Sequence, residues 1–418
     1  MTDAPLTIAR LGHRGDGVAD GPIFVQRTLP GEIVTGTREG DRLAQPKILA
    51  PSADRVRAPC PHYASCGGCA LQHATDTFVS DWKREVVVRA LAARGLKAPF
   101  RPVLTSPPRS RRRATFALRR TKAGALVGFH GRASDNVVDA PVCHLVEPTL
   151  VAARPALVDL VQIGGSRKAT LSARVTAVIG GLDVAVTGGK PLDPSQQTEA
   201  AACATGAGIL RLTWDGETVA QSERPLVDLD GIRVPLPPGA FLQATRHGEA
   251  CLRAAIVEAV SGARHIVDLF SGIGTFALPL AKRATVHAVE GERDMTDALL
   301  AGRNSAQGLR PVTAEARDLF RRPLEPDELA RFDAAVIDPP RAGAAAQAAR
   351  LAASSVPLVA AVSCDPATFA RDARTLIDAG FRLDWVQVVD QFRWSPHVEL
   401  AARFTRGHIA PDGQRTTP

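Results

Sequence analysis

From about residue 240 onward the chain alternates short apolar runs with amphipathic stretches, and this rhythm constrains the fold more than any other feature. The runs are HIVDLF, TVHAVE, PVTAEARD, FDAAVID, PLVAAVSC, RLDWVQVVDQF and HVELAARF. A helix is expected at 247–260, and helical stretches near 276–283, 293–307, 343–355 and 366–379 separate the first six runs. Short apolar strands spaced by helices bury both faces in a doubly wound α/β sheet. The last two runs are joined by a short link, so an antiparallel hairpin, and with it an antiparallel edge strand, is expected at one edge.

The first 240 residues read differently. Residues 5–57 carry brief runs broken by Gly, Asp and Pro, a pattern that suits a small β-barrel. DWKREVVVRALAARG (81–95) reads as a helix, with Val87, Leu91 and Arg94 on one spacing and Gly95 as its stop. From 100 to 235 strands return, and Asp-Gly turns in RLTWDGETVAQ and PLVDLDGIRVPL are hairpin signals. VTAVIGGLDVAVTG offers a third hairpin. The expected organisation is a barrel over 1–57, a β-rich middle over 58–238 and an α/β unit over 239–418.

The α/β unit holds the motifs that carry chemistry. DLFSGIGTFALPLA (268–281) is a strand, a glycine turn and a helix, and Gly272 and Gly274 let backbone approach a ligand. Glu290 follows Asp268 by 22 residues and ends the next strand, where a carboxylate accepts ribose hydroxyls. Ala277 stands where a dinucleotide fingerprint needs its third glycine, so the spacing favours S-adenosylmethionine over NAD. IDPPRAG (337–343) aims Asp338 at the same crevice, and Arg341 replaces the aromatic residue expected of an enzyme methylating exocyclic amines.

SCDPATFARD (363–372) places Cys364 at the carboxyl end of a strand, with Asp365 as N-cap and Pro366 in the first helical turn. A helix N-terminus lowers a thiol pKa and a neighbouring carboxylate raises it, so the net sign is open. In WSPHVELAARF (394–404) Glu399 is the one carboxylate of an otherwise apolar final strand. It is either a charge on an exposed face or a base, and His397 competes for that role.

The charge balance is 51 basic against 43 acidic residues, or +8, and its placement says more than its sum. Between Glu85 and Asp135 there is no carboxylate, and 12 Arg or Lys lie there, including Arg109, Arg111, Arg112, Arg113, Arg119, Arg120 and Lys122. That block reads as a phosphate-binding face for nucleic acid. Of seven cysteines, Cys60, Cys66 and Cys69 form C-x5-C-x2-C, and Cys143 follows its last member after 73 intervening residues; Cys203 and Cys251 stand apart. A structural zinc site is the alternative for these four, although C-x5-C is loose for a zinc knuckle. No stretch approaches the length of a membrane helix, and no basic-then-apolar leader opens the chain, so a cytoplasmic, membrane-free protein is expected.

The set FLQ (241–243), DLFSGIGTF, VEG (289–291), DPPRAG, SCDPATFARD and HVE resembles the RNA uracil-5-methyltransferase family. With C-x5-C-x2-C and Cys143 it is similar to the iron–sulfur branch acting on 23S ribosomal RNA, and the N-terminal barrel resembles a TRAM domain. The resemblance implies a class I (Rossmann-like) methyltransferase domain in a chain that works as a monomer on RNA. It implies that Cys364 is the nucleophile and Glu399 the base removing the C5 proton. It places Gln243, Phe270, Thr275, Glu290, Asp318 and Asp338 at the S-adenosylmethionine site. Cys60, Cys66, Cys69 and Cys143 take the positions of [4Fe–4S] ligands. The residues after Phe404 match nothing in the family. A transfer-RNA enzyme, or a non-catalytic RNA-binding or ribosome-assembly factor on the same fold, are the competing readings.

Overall fold

The computed structural model describes residues 4–407. Strands β1 (Leu6–Leu11), β2 (Gly17–Ala19), β3 (Ile23–Val25), β4 (Ile33–Glu39) and β5 (Arg42–Ala50) close into a barrel in the order β1-β2-β3-β5-β4. Ile8, Val25, Val34 and Leu43 fill it. The expected small barrel is present. Its attachment to the rest includes the Arg132–Asp16 ion pair at 2.5 Å.

Helix α1 (Asp76–Ala92) begins five residues before the expected start at 81. Thr75 is the reason: its side chain accepts the Phe78 N–H at 3.3 Å and caps the helix. Val79, Val87 and Leu91 are buried, whereas Arg94 lies beyond the helix and is exposed. Lys83 is fully buried on α1 and reaches Asp390 at 2.5 Å and the Phe392 carbonyl at 3.0 Å.

After the two-residue β6 (Leu104–Thr105) come β7 (Arg113–Arg120), β8 (Ala125–His130), β9 (Val137–Asp139), α2 (Pro148–Ala152) and α3 (Arg154–Gly164). Then follow β10 (Leu171–Val178), β11 (Gly181–Thr187), α4 (Pro194–Gly206), β12 (Ile209–Trp214) and β13 (Glu217–Gln221). The strands from β7 to β13 form one sheet ordered β13-β12-β11-β10-β7-β8-β9. The three helices packed on it are absent from the sequence reading, since α4 (PSQQTEAAACATG) shows no apolar stripe. Both Asp-Gly hairpins form. Asp215 and Gly216 sit at φ 46° and 94°, Asp230 and Gly231 at 60° and 84°, as a primed turn requires.

The second hairpin, β14 (Leu226–Leu229) and β15 (Ile232–Pro235), is a separate ribbon. The α/β unit continues with α5 (Arg246–Ala259), β16 (His265–Leu269), α6 (Ala277–Leu280), β17 (Thr285–Glu290), α7 (Arg293–Ser305) and β18 (Val312–Ala316). It is completed by α8 (Pro326–Leu329), β19 (Ala334–Ile337), α9 (Ala345–Ala353), β20 (Leu358–Ser363), α10 (Pro366–Asp378), β21 (Phe381–Asp390) and β22 (Leu400–Arg406). The sheet order is β18-β17-β16-β19-β20-β22-β21-β6. β16 to β20 are parallel, and β19 and β20 carry apolar side chains on both faces, as strands covered by helices on each side must.

Two details depart from expectation. The antiparallel strand β22 is not at the edge; it lies between β20 and β21 and pairs with both. The edge goes to β6, parallel to β21. The division at residue 238 also cuts through packed structure. α1 and β6 precede it, yet α1 packs on α10 and β21. The β14–β15 ribbon lies on α7, where a Cβ on Gly302 would come within 2.6 Å of Val234. The tail beyond residue 407 lies outside the described residues. Among those described, no helix is long and apolar enough to cross a membrane.

Candidate active site and cysteine cavity

Strand order reverses at β16, which has β17 on one side and β19 on the other. Ligands of open α/β sheets bind at the carboxyl ends of the strands flanking such a point. The glycine turn after β16 lies there. Phe270 takes a left-handed φ of 63°, a costly conformation for an aromatic residue, and Gly272 and Gly274 follow at 54° and 93°. A Cβ on Gly274 would fall 2.9 Å from the Leu278 and Leu299 side chains, so the turn closes only around glycine. Glu290 accepts the Gly272 N–H at 2.8 Å on one oxygen and the Glu292 N–H at 3.1 Å on the other. Each oxygen keeps a lone pair for a ribose hydroxyl.

Asp318 accepts the Phe320 N–H at 2.9 Å, and the Phe320 ring stands 5.3 Å from that of Phe270. Thr275 lies half-buried on the glycine turn. Burial, with Asp338 and Glu290 beside it, raises the Asp268 carboxyl well above the usual range. The Ser271 hydroxyl is buried with no hydrogen-bond partner among the described residues. Free polar atoms, open carboxylate lone pairs and two flanking rings fit an adenosine-bearing cofactor such as S-adenosylmethionine.

Cys364 is the first residue past β20, half-buried, and Asp365 caps α10 by accepting the Ala367 and Thr368 N–H groups at 3.0 and 2.9 Å. The direction that the motif leaves open is upward. Burial, then Glu399 and Asp338, push the thiol to about 11, while Arg341 pulls against them. Glu399 immediately precedes β22 rather than lying within it, and is 3% exposed. The exposed-face reading therefore fails. Burial and the neighbouring Asp338 raise Glu399 to about 8, with Gln391, Arg113 and Arg341 opposing. Burial raises Asp338 to about 7. His397 is exposed, 3.3 Å from the Arg341 guanidinium. Gln243 donates to Asp338 at 3.4 Å, which joins it to the same crevice.

Gln391, bonded to both Gln243 and Glu399, escaped the sequence reading. The available signal is a glutamine in an apolar run, RLDWVQVVDQF, immediately before the loop that carries the base.

The four cysteines of the spaced set line one cavity of about 250 Å³, with Tyr63, Gln72 and Arg111. None is in a disulfide. Burial raises Cys60, Cys66 and Cys69, the last to about 12, and in each case Cys143 adds to the rise. Four thiolates cannot share this space without a compensating cation. Among the described residues no three His, Cys, Asp or Glu side chains stand close enough to hold a single metal ion.

The basic block is less of a surface than its sequence suggests. Arg112 is 2% exposed and pairs with Glu249. Arg111 is half-buried against the cysteine cavity, and Arg113 lies over the Phe241 ring, 4.6 Å from its centroid. Arg109, Arg120 and Lys122 remain exposed. Arg112, just before β7, is turned inward by its pair with Glu249.

A reversed parallel sheet with a glycine turn, an acidic strand end and one antiparallel strand defines an α/β methyltransferase. A family model described as tRNA (Uracil-5-)-methyltransferase matches residues 239–406. An uncharacterized RNA methyltransferase of Caulobacter vibrioides is 45% identical over 412 residues, covering 96% of this chain and 99% of the relative. The 23S rRNA (uracil(1939)-C(5))-methyltransferase RlmD of Halomonas elongata is 34% identical over 439 residues, covering 94% and 88%. The crystal structure of Pyrococcus abyssi tRNA (uracil-54, C5)-methyltransferase with S-adenosyl-L-homocysteine shares the fold. Its TM-score is 0.75 at 24% identity, over 96% of this chain and 99% of that one. The chain belongs to the RNA uracil-5-methyltransferase family and is an S-adenosylmethionine-dependent enzyme.

Proposed function

We propose that the enzyme forms 5-methyluridine in 23S ribosomal RNA, with Cys364 as nucleophile and Glu399 as base. The observation that carries this reading is the placement of a buried carboxyl, raised to about 8, in electrostatic reach of a half-buried thiol at a strand's carboxyl end. Carbon 5 of uracil is a poor nucleophile. Addition of the Cys364 sulfur, its proton lost to solvent, to carbon 6 makes the ring an enolate, and carbon 5 then takes a methyl group. S-adenosylmethionine supplies that methyl on a sulfonium. Glu399 removes the C5 proton, the double bond re-forms and the Cys364 sulfur leaves, so nucleophile and base must be separate groups. A base poised near neutrality suits this task, and burial beside Asp338 puts Glu399 there. Arg341 is the cation beside the thiol.

A uracil within stacked or paired RNA must be flipped outward to reach Cys364. The N-terminal barrel, read as TRAM-like, and the exposed Arg109, Arg120 and Lys122 would hold flanking strand by its phosphates. Cys60, Cys66, Cys69 and Cys143 would hold a [4Fe–4S] cluster, a structural group with no free coordination position. The ribosomal substrate is favoured over transfer RNA by the 34% identity to the Halomonas 23S rRNA enzyme, which spans nearly both chains. Mapping 5-methyluridine in total RNA from a strain lacking this protein tests the reading. Loss at one 23S position supports it; loss only in transfer RNA moves the substrate, and no loss at all favours a non-catalytic binder. Glu399→Gln should trap a covalent protein–RNA adduct that survives denaturing electrophoresis.

A further inference from the structure

Gln391 is the first residue after β21 and is 1% exposed. Its side-chain oxygen accepts the Ala244 N–H at 2.7 Å. A backbone N–H can only donate, so this contact decides which end of the amide is oxygen. The nitrogen end then donates to Gln243 Oε1 at 2.5 Å and to Glu399 Oε2 at 2.9 Å. With its own oxygen occupied, Gln243 turns Nε2 toward Asp338 Oδ2 at 3.4 Å. The surroundings are shaped to the glutamine, because a Cβ on Gly248 would lie 2.5 Å from the Gln391 Cβ.

Glu399 and Asp338 are thus two carboxyls in one crevice, joined through two amides of set orientation. Neighbouring buried carboxyls resist being ionised together. The charged or titratable groups facing Glu399 are Asp338 and Cys364 on one side of the balance, Arg113 and Arg341 on the other. The amide donors are unequal, since Glu399 receives the 2.9 Å bond and Asp338 only the 3.4 Å one. A donor aimed at a carboxylate favours its ionised form.

We propose that Gln391 is a positioning residue that directs the negative charge of this carboxyl pair onto Glu399 and locks the amide of Gln243 toward Asp338. The inference rests on Glu399 being the base. Its test is the pH dependence of methylated-RNA release in a single turnover, with full-length protein and an RNA transcript, across about pH 6 to 10. Gln391→Met keeps the volume and removes the donor. The ascending, acid-side limb should move up by about one pH unit, so the rate at pH 7 falls about tenfold and recovers in alkali, with RNA affinity unchanged. A merely structural role would lower the rate at every pH alike. A Gln391→Met limb coincident with wild type overturns the proposal. Should that variant not fold, Gln391→Glu keeps the size and the acceptor for Ala244, loses the donor once ionised, and is read the same way. Glu399→Gln measured beside them separates the two levels. If it turns over normally the base assignment fails, whereas its loss beside an unmoved Gln391 profile removes this inference alone.

Discussion

Two parts of the molecule are built around cysteine, and they differ in what faces the sulfur. At the active site Cys364 meets two carboxyls and one guanidinium at a strand end, so its ionisation answers to Glu399, Asp338 and Arg341. In the cysteine cavity, the thiols of Cys60, Cys66 and Cys69 meet burial and one another, with Arg111 the cation alongside. Both settings raise the thiol. Only the first sets buried carboxyls raised toward neutrality, Asp338 and Glu399, beside the sulfur; in the second, four thiols line one cavity together. A thiol's role therefore follows from its neighbours' chemistry rather than from its own exposure, since all of these cysteines are half-buried.

The largest expected effect sets one thiol against the other. Cys364→Ala should abolish methyl transfer, by at least about a thousandfold, and leave RNA affinity and melting temperature near wild type. Cys69→Ala should do the reverse, lowering the melting temperature and removing any bound iron measured by metal analysis. A Cys69→Ala protein that melts normally would break the comparison.

The two regions are also mechanically joined, and the next prediction tests that joint. The Ala70 and Leu71 N–H groups both donate to the Trp394 carbonyl, at 2.8 and 3.0 Å, and Lys83 holds Asp390 and the Phe392 carbonyl. The loop that carries the base is thus clamped from the cysteine side. Lys83→Met leaves Asp390 a buried, unpaired charge and should cost about 3–5 kcal/mol of stability; a loss under about 1 kcal/mol in denaturant unfolding would show that the pair is replaceable.

A smaller effect follows from Glu399. Its folded pKa, about 8, lies above the ordinary 4.5, so native Glu399 binds its proton more tightly than the unfolded chain does. That stabilisation is complete below about 4.5 and is lost as pH rises through about 8. Glu399→Gln should therefore gain melting temperature relative to wild type as pH is raised from 5 to 9, and a constant difference would refute the shift. The smallest effect is at the start of α1, where Thr75→Ala should cost about 1 kcal/mol by thermal unfolding.

Much of the α/β unit was legible because its signals are local. Strand–helix alternation, DLFSGIGTF, DPPRAG and SCDPATFARD each lie within about a dozen residues, and the sheet places them where their spacing implies. The cysteine set was legible as a spacing, and the structure does bring its distant member, Cys143, to the other three. What was missed depends on long-range packing. Arg112 looked like a phosphate ligand until Glu249, 137 residues away, was found to bury it. Glu399 looked as much like a surface charge as a base, because alternation along one strand does not say which face is covered.

By itself, then, the sequence determined the alternating strands of the α/β unit, their parallel direction and the residues at their carboxyl ends, because each follows from chain-local period and turn chemistry. The tertiary structure alone decided the charge state of those residues. Desolvation and the approach of Asp338, Arg341 and Gln391 come from segments far apart in the chain, and only their convergence turns Glu399 from an ordinary carboxylate into a base near neutrality.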